Sequence, residues 1–325
     1  MQKSRLFTIT GGCGFIGAHL ASTLIRRGDR VRIIDDLSTG RRESAPTEAE
    51  VMVADIADAE AVAQAVKGAS GVFHLAAIAS VERCNRAWRE SHRTNLYGTV
   101  TVFEAARDAA DQPLPVAWAS SAAIYGAAET MPISEDAPKQ PMSPYGADKL
   151  SGEHHASAAA DLFDLPSTAC RFFNVFGPGQ DPSSPYSGVI SIFADRLARD
   201  EGVTIFGDGG QSRDFIYVAD VVTGLLASMD RMMTTQAAGE KARFDPINFC
   251  TGHSVTVKEL AETIKSLTGT QADISYDAPR DGDIRESLGN PERMQTLLGF
   301  TAETTLEDGL SALLDAAAAA KQAAE

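Results

Sequence analysis

The feature that most constrains this chain is its opening. A short apolar run, Leu6–Thr10, leads at once into Gly11-Gly-Cys-Gly-Phe-Ile-Gly17 and a helix-like stretch, Phe15–Arg27. Glycines at 11, 14 and 17 between a strand and a helix each have a separate use. The first permits a tight turn, the second lets backbone approach a phosphate, and the third lets the helix pack closely on the strand. The start of the helix then offers free N–H groups and the positive end of its dipole to an anion. The spacing predicts a strand–turn–helix entry to a dinucleotide site.

The pattern then repeats. Val31–Asp35, Val51–Ala54, Val72–Ala76, Val116–Ser120 and Thr168–Phe173 read as strands buried on both faces, alternating with helix-like stretches such as Ala59–Lys67 and Thr94–Ala110. This succession predicts an α/β fold built on a doubly wound parallel sheet of Rossmann type. Past Asn174 the texture changes to a long Pro/Gly/Ser loop, 177–188, and a second, smaller α/β domain is expected to start there. A strand is expected at Val203–Phe206, an exposed linker at Met232–Lys241, and a fraying helix end at Leu314–Glu325.

The second strand ends in Asp35, where a carboxylate can accept both ribose hydroxyls of NAD and would repel the 2′-phosphate of NADP. NAD is therefore the expected cofactor, with Arg41 and Arg42 nearby as the opposing signal. Asp55, at the end of the third strand, is placed either to meet adenine or to cap the next helix. In Ser143-Pro-Tyr-Gly-Ala-Asp-Lys149, Tyr145 and Lys149 are four residues apart and share one helix face. A phenol is a poor base at neutral pH. A neighbouring ammonium and a cationic nicotinamide ring would stabilise its phenolate and bring it into range.

These motifs together resemble the extended short-chain dehydrogenase/reductases, and within them the nucleotide-sugar 4-epimerases, from Thr10 to about Phe300. Ala119-Ser-Ser-Ala-Ala-Ile-Tyr-Gly126 is similar to the family segment that supplies a hydroxyl, here Ser121, which the resemblance sets between the sugar 4-hydroxyl and Tyr145. It implies cofactor contacts from Gly11, Gly14, Phe15, Ile16 and Gly17, and from Asp35, Asp36, Leu37, Ser38 and Gly40. Further contacts are implied for Asp55, Ile56, Leu75, Ala76, Ala77, Asn95, Ser120, Tyr145, Lys149, Phe172 and Val175. Asn95 is also open to reading as a helix cap. Substrate contacts are implied for Ser121, Asn174, Val189, Thr204, Phe206, Arg213, Arg280, Asp283 and Ser287, with the arginines gripping a diphosphate. The implied division is 1–173 for an NAD-binding domain, to which 214–250 returns, and 174–213 with 251–325 for a nucleotide-sugar domain. A homodimer is implied through Thr94–Ala110 and Tyr145–Ala160.

The net charge of −15 argues against nucleic acid as a partner. The four cysteines are widely spaced without a CxxC pair, so neither a metal site nor a disulfide framework is expected. No apolar stretch reaches the roughly 20 residues of a membrane span, and no signal-peptide pattern opens the chain, so a cytoplasmic protein is expected.

Function must be read from the site rather than the fold. Family dehydratases carry Thr-Asp-Glu where this chain has Ser121-Ala122-Ala123, and two alanines transfer no protons. That departure points to a UDP-hexose 4-epimerase working through a 4-keto sugar. Ser287 stands where plain-hexose members tend to carry a bulky aromatic, and Ala79 where some carry lysine. Both point to UDP-N-acetylglucosamine/UDP-N-acetylgalactosamine, as well as or instead of UDP-glucose/UDP-galactose. UDP-glucuronate epimerisation and a 4-ketosugar-nucleotide reductase remain alternatives. A non-catalytic NAD-sensing module fits less well, because Ser121, Tyr145 and Lys149 are all retained.

Overall fold

The computed structural model describes residues 4–181, 188–279 and 284–324. The chain begins β1 (Leu6–Thr10), α1 (Phe15–Arg26), β2 (Arg30–Asp35), β3 (Glu50–Val53), α2 (Ala59–Val66) and β4 (Gly71–His74). Next come α3 (Val81–Arg86), α4 (Trp88–His92), α5 (Gly98–Asp108), β5 (Val116–Ser121), α6 (Pro144–Phe163), β6 (Ser167–Phe172) and β7 (Asn174–Phe176). The remainder is α7 (Val189–Ala198), β8 (Val203–Phe206), β9 (Ser212–Tyr217), α8 (Val218–Ala237), β10 (Phe244–Phe249) and β11 (Ser254–Thr256). It ends with α9 (Val257–Thr268), β12 (Ile274–Asp277), β13 (Glu286–Ser287), α10 (Glu292–Leu298) and α11 (Leu306–Ala324).

Seven strands form one all-parallel sheet in the order β10-β6-β5-β4-β1-β2-β3. Strand order reverses between β1 and β4, and a crevice opens at the carboxyl ends of the strands there. β1 is buried along its whole length, and apolar clusters cover both faces of the sheet. Leu20 and Leu24 of α1 join Val221 and Leu225 of α8 in one cluster; Val62 of α2, Val102 of α5 and Ala156 of α6 share the other. This is the doubly wound α/β arrangement that strand–helix alternation predicts.

A smaller α/β assembly covers the crevice side. It holds the β11-β9-β13 sheet, with β7 also on β9, and the β12-β8 pair. Ile190, Leu197, Leu260, Ile264 and Leu310 make its core.

Three sequence expectations need correction. Met232–Lys241 is no exposed linker: α8 runs to Ala237, and Met232 is buried against the sheet. Val51–Ala54 is no strand buried on both faces, because β3 is the sheet edge and Val53 is exposed. Thr94–Ala110 is not one regular helix. Residues Arg93–Tyr97 form a π-helical turn before α5 starts at Gly98, where a Cβ would lie 2.7 Å from Ile56 Cδ1.

Candidate active site

The site is built where α1 begins. Gly14 is the N-cap without a side-chain cap, and the first turn carries no acid, so free N–H groups face the cleft. Gly11 has φ +70, and a Cβ there would sit 2.7 Å from Ala76 N. A Cβ on Gly17 would sit 2.3 Å from Gly11 O. The cradle thus requires glycine at both positions, and its fixed donors suit a pyrophosphate.

Asp35 closes the next turn. Its carboxylate accepts the Cys13 N–H at 3.0 Å and the Leu37 N–H at 2.9 Å, one on each oxygen. Burial pushes its pKa up while these donors oppose the rise. One lone pair on each oxygen is left for ribose hydroxyls. Leu37, at φ +57, packs into the core behind the turn. Asp36 accepts Ser38 N at 2.9 Å and Ser38 Oγ at 2.6 Å, fixing the turn's outer half.

A cleft of about 590 Å³ runs from these turns past Asp55, Ile56, Leu75, Ala76 and Ala77 to Ser120, Ser121, Tyr145, Lys149 and Phe172. Leu37 and Val175 pack against the apolar core and Asn95 is buried, so none of the three lines this cleft. Asp55 does not cap α2; Asp58 does, accepting from Glu60 and Ala61. Asp55 instead accepts Ala57 N–H and pairs with Arg93. Burial works against its charge, but these partners hold its pKa below the ordinary carboxylate value. Nor is Asn95 a cap. Its amide grips the Ile78 backbone through both N–H (2.8 Å) and C=O (3.1 Å), fixing a segment that lines the cleft.

Behind that wall runs a buried polar chain invisible to motif reading. Thr99 donates to Asn95 O at 2.7 Å, so its hydroxyl must accept from His74 Nε2 at 2.9 Å. His74 Nδ1 then accepts from Thr10 at 2.7 Å, and Thr10 accepts the Ala76 N–H at 3.1 Å. Burial, with the charge of Lys149, pushes His74 down to about 3, so this imidazole stays neutral as a brace.

Tyr145 and Lys149 project from the first turns of α6, which opens with Ser143 as N-cap and Pro144 at its first position. Ser121 is close enough to the Tyr145 hydroxyl to favour its ionised form, and its own oxygen accepts the Ala123 N–H at 3.1 Å. Lys149 Nζ lies 5.8 Å from the Tyr145 ring centroid and donates to Ala119 O at 2.7 Å. Burial raises Tyr145 to about 12, partly offset by Ser121, and lowers Lys149 to about 8. The phenol is therefore weakly acidic even with Lys149 nearby, and a bound nicotinamide cation would lower its pKa further.

Sequence reading missed Arg83, Glu90, Arg93 and Gln180, which also line the cleft. Arg83 pairs with Glu90 on α3 and α4. No motif carries them: the short α3–α4 excursion brings Arg83 and Glu90 to the wall, the turn before α5 brings Arg93, and the segment after β7 brings Gln180.

In the smaller assembly β9 is the hub. Asn174 pairs in register with Phe215, Val255 and Ser287 with Arg213. Arg213 Nη1 donates to Ser212 O at 2.9 Å and Ile284 O at 2.6 Å. Thr204 and Phe206 lie on β8, and Val189 begins α7. Arg280 and Asp283 lie outside the described residues. Asp214, fully buried, accepts Thr251 N and Oγ1 (both 2.8 Å), Gly252 N (3.0 Å) and Gly289 N (3.2 Å), and so fixes the strand carrying Arg213.

A glycine cradle, a buried acid after β2 and a hydroxyl–phenol–ammonium set line one cleft. Residues 7–241 match the NAD dependent epimerase/dehydratase family. The chain belongs to this family. NAD is its cofactor, and the cradle, Asp35 and the Ser121–Tyr145–Lys149 end of the cleft fit it. A UDP-glucose 4-epimerase from Mycolicibacterium smegmatis is 34% identical over 93% of this chain and 95% of its own. The structure is similar to UDP-glucose 4-epimerase from Thermotoga maritima, solved with UDP-glucose, at TM-score 0.90 and 33% identity, covering 98% of this chain and 100% of that one. It is equally similar, at TM-score 0.90 and 31% identity over the same shares, to UDP-N-acetylglucosamine 4-epimerase from Methanobrevibacter ruminantium in complex with UDP-N-acetylmuramic acid. Among the described residues no helix is long and apolar enough to cross a membrane.

Proposed function

We propose that this NAD-dependent sugar-nucleotide epimerase inverts C4 of a UDP-hexose, and that N-acetylated hexoses are among its substrates. The observation that carries the reading is the gathering of Ser121, Tyr145 and Lys149, the last one α6 turn from the phenol, at one end of the cleft that starts at the glycine cradle. NAD, when bound, accepts the C4 hydride and returns it. Tyr145 takes the 4-hydroxyl proton, Ser121 aligns that hydroxyl, and Lys149 favours the phenolate. Ala122 and Ala123 provide no acid or base for eliminating water. Arg213, Asn174 and residues of β8 would hold the UDP half while the keto-hexose turns over, with Arg280 and Asp283 as further proposed contacts. In this reading the nucleotide-sugar domain comprises 174–213 and 251–325, and the working unit is a homodimer in the cytoplasm.

Tolerance of an acetamido group is supported by the small Ser287 side chain, beside Arg213 in register. The test is to incubate purified protein with UDP-N-acetylglucosamine, UDP-glucose and UDP-glucuronate and resolve products by NMR. C4 epimers of the first two without added cofactor are expected. Turnover of UDP-glucuronate alone would overturn the hexose assignment. Stoichiometric NADH consumption by a dialysed, cofactor-free protein would replace epimerisation with net reduction.

A further inference from the structure

Lys149 is 2% exposed, yet among the described residues its ammonium makes one hydrogen bond, to Ala119 O, and no ion pair. The titratable groups facing it are few. Its own helix supplies Tyr145 and Asp148, α3 supplies Cys84, and β4 supplies the neutral His74. Asp148 is turned to His92 of α4, at 2.7 Å. β5 faces the lysine with the Ala119 carbonyl and the uncharged ring of Trp118. A cation so poorly paired should lose its proton readily.

The remaining partners are two aromatic rings. Nζ stands 5.8 Å from the Tyr145 centroid and 6.0 Å from the Trp118 centroid, within reach of their negative π-faces. The indole is held in place from two sides. Gly152, next on the same α6 face, leaves it space; a Cβ there would lie 3.1 Å from Trp118 Cη2. Phe103 of α5 abuts it edge-on at 5.7 Å and 80°. Trp118 is fully buried, and among the described residues its Nε1 has no hydrogen-bond partner. Phenylalanine would avoid that orphan donor, whereas tryptophan presents a cation with the stronger π-face.

We propose that Trp118 is a positioning residue for the reaction, its indole face and the Tyr145 ring together holding Lys149 as an ammonium. This rests on the roles given to Tyr145 and Lys149 under the proposed function.

The test uses NAD-loaded protein in a Trp88→Phe background, which leaves Trp118 as the single tryptophan. Mono- to tetrafluorinated tryptophans keep the ring's shape while draining electron density from its face. The readouts are the Lys149 titration, followed through 13Cε-lysine and assigned with Lys149→Arg, and the alkaline limb of kcat/KM. Both should move stepwise to lower pH, by about half to one unit across the series. A Lys149 titration indifferent to fluorination would overturn the proposal. A moving lysine titration with a fixed rate limb would uphold the tuning and remove Lys149 from the catalytic set instead.

Discussion

Lys149 is held in the fold against its own solvation. Its pKa lies at about 8, below the ordinary 10.5, because burial penalises the ammonium. Between those values the unfolded chain binds the proton more tightly, so stability rises with pH from about 8 to 10.5 and carries the full cost below 8. That cost is on the order of 3 kcal/mol at neutral pH. Lys149→Met should therefore raise the Tm at pH 7 by a few degrees and flatten the alkaline rise, while turnover falls by about 10³-fold or more. Thermal melts across pH, paired with rate assays, check both halves. Tyr145→Phe should remove turnover with NAD still bound at unchanged stoichiometry, and retained turnover would exclude the phenol from proton transfer. Tyr145 and Lys149 were legible in the sequence because helical spacing alone puts them on one face. Arg93 was not, because its partner Asp55 lies on another element and only the fold joins them.

Elements are joined here by buried charge as well as by apolar packing. Arg171 of β6 meets Glu153 of α6 through two hydrogen bonds, at 2.9 and 2.6 Å, with both side chains nearly inaccessible. Ser120 of β5 donates to the same carboxylate at 2.6 Å, while Arg171 also donates to Tyr125 and to Glu135 O. Two strands and a helix thus meet at Glu153, through Ser120, the neighbour of Ser121 on β5. Removing one partner strands the other charge, so Glu153→Ala should destabilise by about 3–5 kcal/mol in urea unfolding. A loss below about 1 kcal/mol would mean that water enters and satisfies Arg171. At the other end of the cleft, Gly17→Ala should give protein purified without NAD, measured by absorbance after denaturation, because its Cβ has no room against Gly11 O. The glycines announced their role through spacing between strand and helix. The Glu153–Arg171 bond did not, since neither residue belongs to a periodic pattern and each alone reads as surface charge.

On the scale of the molecule, acid sensitivity should follow from His74. Its pKa is depressed to about 3 in the fold, so as pH falls from about 6.5 toward 3 the unfolded chain takes up a proton that the folded one refuses. Stability should fall through that window, and His74→Gln should flatten the acid limb of a Tm-versus-pH curve. An unchanged limb would show that other groups govern acid unfolding. The alternating texture of the first half made the parallel sheet readable. The edge position of β3 and the length of α8 escaped, because exposure at a sheet margin and burial of Met232 depend on neighbours distant in sequence.

β10 lies beside β6 at the far margin of the main sheet, yet it is reached only after β7, β8, β9, α7 and α8. During synthesis, β6 therefore waits as an open margin until residue 249 has left the ribosome. A fragment stopped near residue 173 would display that unsatisfied backbone to any other extended segment and should self-associate. The nucleotide-holding half is therefore not a module that can be cut out by its position in the chain.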